Sequence, residues 1–231
     1  MELNAYQVRW ILLDVLVLVV SVALHEFGHA MMADKLGDDT PRRQGRVTLN
    51  PLAHADPIGT LLLPLLGGLW GAAGLGVGAF GWGKPVQWQP SRVRRGIKMS
   101  TATILVSVAG PGMNLVLGTV LALINAVLVW QGVVSHGGEA DKILQFATNT
   151  NFVLLFFNLL PIPPLDGGHV LSGLMPYKHR AAYESFARFG PFVVMVVAFN
   201  SQLARVFLVP AVFCADHVRG MWAHLFGLSG M

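Results

Sequence analysis

The sequence predicts an all-α polytopic membrane protein, and three observations carry that expectation. Apolar residues make up 54% of the 231-residue chain and charged residues only 12%, about half the charged share of an ordinary soluble domain. The mean hydropathy is +0.58. The apolar residues are gathered into runs of about 20 residues, the length a helix needs to cross a bilayer. No stretch between the runs is long enough for a separate soluble domain. A single membrane-embedded domain over 1–231 is therefore expected. The net charge of +4 is modest and sits in loops, which fits cytoplasmic loops and not a nucleic-acid partner. Cys214 is the single cysteine, so an internal disulfide and a cysteine-rich zinc site are both excluded. The N-terminus does not read as a cleaved signal, because Glu2 offsets Arg9 and no small-x-small site precedes Ser21.

Residues 10–33 form the first expected span, and near its end lies His25-Glu26-Phe27-Gly28-His29. Histidines at i and i+4 of a helix stand one turn apart on nearly one face, where a single metal ion can take both imidazoles. A glutamate between them can hold and deprotonate a water molecule at that ion. Asp14 and Ser21 precede His25 by eleven and four residues and share its side of the helix. Such a polar stripe should face the bundle interior or a water-filled cavity. Asp14 also reads as an interfacial residue near the helix start. At about 16 Å from His25 along the axis it is too far to be a ligand.

Residues 34–56 are polar and turn-rich, and Val47–Pro51 within them is strand-like. That piece reads equally as an edge for an extended substrate or as a connecting loop. His54 and Asp56 are by type either ligands or partners of ligands, or a loop histidine and a cap for the next segment. Residues 57–83 are apolar but broken by Pro64 and a series of glycines, a poor straight helix. Loops 34–56 and 84–98 carry four and five Lys/Arg and both read as cytoplasmic. The segment between them is too short for two crossings, so it is expected to be re-entrant or tightly bent.

Residues 99–131 form the longest apolar run, with Asn114 and Asn125 on one face. Residues 132–142 read as external and 143–160 as the return span, its Asn149, Asn151 and Asn158 supplying interior hydrogen bonds. Pro161-Ile162-Pro163-Pro164 then ends the helix and imposes extended backbone. Asp166-Gly167-Gly168 follows, placing a carboxylate at the cytoplasmic end of a span, where it is costly unless paired or bound to metal. Residues 176–190 read as cytoplasmic, and 191–213 as a last apolar run bounded by Pro191 and Pro210 that either spans or lies against the bundle. His136, His179, His217 and His224 read as surface groups.

These residues resemble the site-2 proteases, intramembrane zinc metalloproteases. Three blocks carry the likeness in order: HEFGH at 25–29, Gly110-x-x-x-Asn114, and NLLPIPPLDGG at 158–168. The stretches GRVTLNPLAHADPIGT and FGWGKPV are similar to the compact bacterial and archaeal branch without a PDZ domain. The likeness covers about residues 10–175, which it implies are the core, with a peripheral helix and tail at 176–231. It implies a core of three transmembrane helices with a bent segment, one zinc ion on His25, His29 and Asp166, Glu26 as the catalytic base, and Asn114 assisting substrate or transition state. It further implies a transmembrane protein as substrate, in a prokaryotic cell membrane, with the site toward the cytoplasm. The competing reading is a non-proteolytic zinc-binding protein of transport or regulation. Transport calls for further ionisable groups in several spans, and beyond Asp14, Arg205 and the motif itself the spans hold none. The sequence carries no signal for an oligomeric state.

Overall fold

The computed structural model describes residues 4–72 and 81–228. Among these described residues nine helices follow in order: α1 (Ala5–Leu36), α2 (Thr40–Arg43), α3 (Leu63–Ala72), α4 (Met99–Trp130), α5 (Glu139–Asn158), α6 (Asp166–Leu174), α7 (Tyr177–Ala187), α8 (Gly190–Phe199) and α9 (Ser201–Leu225). A wide π-helical turn, Pro57–Leu62, leads into α3. Among the described residues there is no strand, so the all-α expectation holds and the strand-like 47–51 is not realised. There Thr48 Oγ1 accepts from Asn50 N and Asn50 Oδ1 accepts from Leu52 N. Such local bonds turn the backbone where a ladder would need it extended.

Three described helices, α1, α4 and α9, are long and apolar enough to cross a membrane, and the bent pair 178–187 and 190–199, at 59°, could supply a fourth span. The chain is a multi-pass membrane protein. The sequence-marked return span is helical as α5, but its polar residues keep it outside this apolar group. Thr148 and Asn151 are fully buried, so α5 spends its polar face inward. The last apolar run also divides differently. Asn200 breaks it, its Oδ1 capping Gln202 and Leu203 N–H groups, and α9 then runs through Pro210 to Leu225.

The chain forms two compact units, one of residues 1–110 with 172–174, the other of 111–171 with 175–231. In the first, α1 opens with a reciprocal cap between Asn4 and Gln7 and closes at Gly37, whose φ of 109° suits only glycine. Around α1 pack α2, the turn at Pro51–Ala53, the π turn and α3. A core of Ala33, Leu36, Ala102 and Val106 sits near its C-terminal end. The segment expected to be bent departs through the π turn and is back beside it at Trp82, whose N–H donates to Gly59 O and whose carbonyl accepts from Thr60 Oγ1. Both ends therefore lie together, as a re-entrant path requires, while 73–80 lie outside the described residues.

In the second unit α5 packs along α9. Phe152 and Leu155 fit against Ala211 and Ala215, small residues one turn apart that let helices approach closely. A second core joins Leu160, Leu165, Val194, Ala204 and Phe207. Arg219 on α9 donates to Asn149 Oδ1 on α5.

Candidate metal centre and general base

The metal motif lies on the last turns of α1, where the regular helix sets the register of its side chains. The Nε2 atoms of His25 and His29 converge to 3.0 Å, with the rings edge to face. Nδ1 of His29 lies 2.7 Å from the carbonyl oxygen of Val106. With Nδ1–H donating there, the lone pair of His29 stands on Nε2, the usual way a ligating histidine is oriented. His25 is buried and His29 half-buried. Two imidazole nitrogens this close, one with its tautomer set from behind, suit a shared metal ion of the kind histidine favours. Gly110 makes the approach possible. A Cβ there would fall 2.3 Å from His29 Nε2 and 2.8 Å from His25 Cε1.

Glu26 is fixed at one oxygen. Its Oε2 accepts from Val86 N–H at 3.0 Å and lies 3.8 Å from Arg46 Nη2. Oε1 has no hydrogen bond among the described residues. The carboxylate thus has one tethered oxygen and one open to a reactant. Val86 and Arg46 were not picked out as site residues from the sequence. Val86 acts through its backbone N–H, which leaves no mark on residue type, and Arg46 reads as the end of a solvated basic run.

His54 and Asp56 serve the loop. Asp56 caps the π turn, its Oδ1 accepting from Ile58 and Gly59 N–H. His54 is fully buried and its Nε2 meets Thr48 O at 2.9 Å. Burial holds the His54 imidazole below its ordinary pKa, so the ring is neutral and its Nε2–H is the donor. Among the described residues neither joins a cluster able to hold a metal. Asp14 is half-buried, whereas Ser21 is buried, so the stripe faces inward most firmly near the motif.

In the second unit Asp166 opens α6, where the helix dipole favours a carboxylate. Gly167 and Gly168 are there for close approach: a Cβ on Gly167 would fall 2.2 Å from Leu159 O, and one on Gly168 2.6 Å from Pro163 N. Neither has a positive φ, so turning freedom is not what they supply. Tyr183 on α7 donates to Gly168 O at 2.6 Å and steadies that first turn. Asn114 is fully buried and its Nδ2 donates to Asn151 Oδ1 at 3.1 Å. Asn125 shares its face, as its spacing requires, and donates to the buried Asp141 at 2.7 Å.

A multi-pass helical protein with H-E-x-x-H on an apolar helix has the outline of a membrane metallopeptidase. Residues 125–200 match the family model described as Peptidase family M50. The "Putative zinc metalloprotease YwhC" of Bacillus subtilis (strain 168) is 37% identical over 199 residues, which cover 85% of this chain and 84% of that protein. The "Putative zinc metalloprotease Rip2" of Mycobacterium tuberculosis (strain ATCC 25618 / H37Rv) is 35% identical, over 92% of this chain and 72% of that protein. Its namesake in Mycolicibacterium smegmatis is 32% identical, over 82% and 67%. No solved structure is significantly similar. The chain belongs to the M50 peptidases, the site-2 protease family.

Proposed function

We propose that this zinc metalloprotease is an endopeptidase that hydrolyses peptide bonds in or near transmembrane segments of membrane-protein substrates. The observation that carries the reading is the joint geometry of the motif: two histidine nitrogens 3.0 Å apart, beside a glutamate tethered at Oε2 and open at Oε1. On the likeness to this family, His25, His29 and Asp166 would be the residues that hold one zinc ion. Two nitrogens and one oxygen leave a fourth position, the layout of a catalytic zinc site. When bound, zinc supplies Lewis acidity, polarising a carbonyl and acidifying water.

The remaining work falls to this chain's own groups. Oε1 of Glu26 takes the proton of the attacking water and returns it to the leaving amine. Asn114, its amide oriented by Asn151, steadies the substrate backbone or the developing oxyanion. The Lys/Arg of loops 34–56 and 84–98 set these loops, and with them the C-terminal end of α1 where the motif lies, on the cytoplasmic side of a prokaryotic cell membrane. A helical substrate must unwind there before its carbonyls can be reached, since they are spent in its own hydrogen bonds.

The test pairs metal analysis of the detergent-purified protein with cleavage of a labelled single-span substrate. One zinc per chain, loss of cleavage with a chelator and its return on adding zinc are expected. Cleavage that continues after the metal has been stripped would end this reading, and bound zinc with no cleavage would favour the transport or regulatory alternative.

A further inference from the structure

Arg46 stands apart from the other basic residues of its loop. Arg42 and Arg43 are exposed and pair with Asp34 and Asp39, whereas the Arg46 side chain is 5% exposed. The chain reaches this position by passing Gly45, whose φ of 68° turns it inward after α2. Once inside, the guanidinium donates through Nη1 to Ala53 O and through Nη2 to Lys84 O. The same two stretches are joined by Lys84 N–H donating to His54 O at 2.9 Å. Arg46 is therefore the clasp on a junction between the 53–54 turn and the extended chain at 84. Two residues beyond that clasp, Val86 N–H reaches Glu26 Oε2, and Nη2 itself lies 3.8 Å from the same oxygen.

A buried cation is retained against its desolvation cost only where paired and hydrogen-bonded. Here it is paired with the residue read as the general base. Arginine suits the role, because its planar fork holds donors to two carbonyls and a charge facing the carboxylate in one fixed geometry, whereas an ammonium is a point charge on a flexible stem.

We propose that Arg46 is a positioning residue for peptide hydrolysis. It acts through Glu26, holding Lys84–Val86 so that the Val86 N–H and the guanidinium charge pin Oε2 and leave Oε1 aimed at the reactant water. Without it the two carbonyls lose their donor, the Val86 N–H moves off, and Glu26 samples side-chain positions in which Oε1 faces elsewhere. Zinc retention is expected to be unchanged, since Arg46 and Val86 act on Ala53 O, Lys84 O and Glu26 Oε2. The inference rests on the reading of Glu26 as the base.

The experiment measures kcat, KM and bound zinc on a fluorogenic peptide containing one transmembrane segment, in detergent micelles. It compares the wild-type chain with Glu26→Gln, Arg46→Lys, Arg46→Met, and a chain in which valine 86 is replaced by its α-hydroxy acid. That last replacement exchanges the one N–H for an ester oxygen and leaves every side chain in place. A misplaced reacting group costs roughly 10²-fold, and that is the fall in kcat expected of Arg46→Met, with KM within about twofold and zinc unchanged. Arg46→Lys, which keeps the charge and loses the fork, should fall about 10-fold, and the ester chain should fall in kcat alone.

Should Arg46→Met fail to fold, the lysine and ester variants decide. Unchanged kcat in both, or a fall in kcat matched by loss of zinc, overturns the proposal. Activity in Glu26→Gln would instead overturn the reading of Glu26, whatever the Arg46 variants do.

Discussion

A Cβ on Gly110 would lie 2.3 Å from Nε2 of His29, so the backbone of α4 presses directly on an imidazole nitrogen of the α1 motif. Gly110→Ala is expected to displace both imidazoles, because His25 Cε1 is only 2.8 Å from the same point. Alanine improves helix propensity by about 1 kcal/mol, which offsets much of an overpacking cost of about 1–3 kcal/mol. The melting temperature should therefore move little while zinc affinity and cleavage fall together. Metal analysis beside a thermal melt checks this, and full zinc occupancy in the variant would count against it.

Glu26→Gln is expected to keep zinc and lose cleavage. The amide preserves size, so the tether from Val86 can persist, but it has no lone pair basic enough to take a proton from water. Removing one general base costs about 10²–10⁴ in rate. Parallel zinc and turnover measurements check it, and a rate within tenfold of wild type would remove Glu26 from the proton path.

How much of this was legible before the fold was known depended on the range of the interaction. The His25–His29 pair was readable because helix geometry alone brings i and i+4 together. Asp56 could be read as a possible cap from its place before Pro57, and Asn114 and Asn125 were readable as one face from their spacing. Arg46 was not, because burial by contacts with Ala53 and Lys84 cannot be seen in a basic run. Val86 was not, because its contribution is a main-chain N–H shared by nearly every residue type. The strand-like 47–51 misled because β-propensity reflects pairing on a sheet, and no sheet exists here among the described residues. Pro210 misled in the opposite way, since α9 absorbs the loss of one N–H donor and continues.

Asp166→Asn tests the proposed third ligand. An amide oxygen is neutral and a weaker donor to zinc, and the change is nearly isosteric, so the first turn of α6 and its bond from Tyr183 to Gly168 O should survive. A fall in zinc affinity of at least about 10–100-fold is expected, the loss seen even when partners one step removed from a metal are changed. Titration with a competing chelator reads it directly. Zinc retention equal to wild type would take Asp166 out of the metal site.

His54 makes stability depend on pH in a defined direction. Burial lowers its pKa in the folded chain, whereas the unfolded chain titrates near 6.5. Between these values the unfolded state binds more protons than the folded one, so stability rises with pH. The contribution is complete above about pH 6.5 and is lost as pH falls through the lowered folded value. Protonation would also place a cation in a fully buried pocket close to the Arg46 guanidinium. Thermal melts in detergent from neutral to mildly acidic pH should show the wild-type midpoint falling more steeply than that of His54→Gln. Glutamine can still reach Thr48 O with an N–H but does not titrate, and parallel profiles for the two chains would assign the acid sensitivity to other groups.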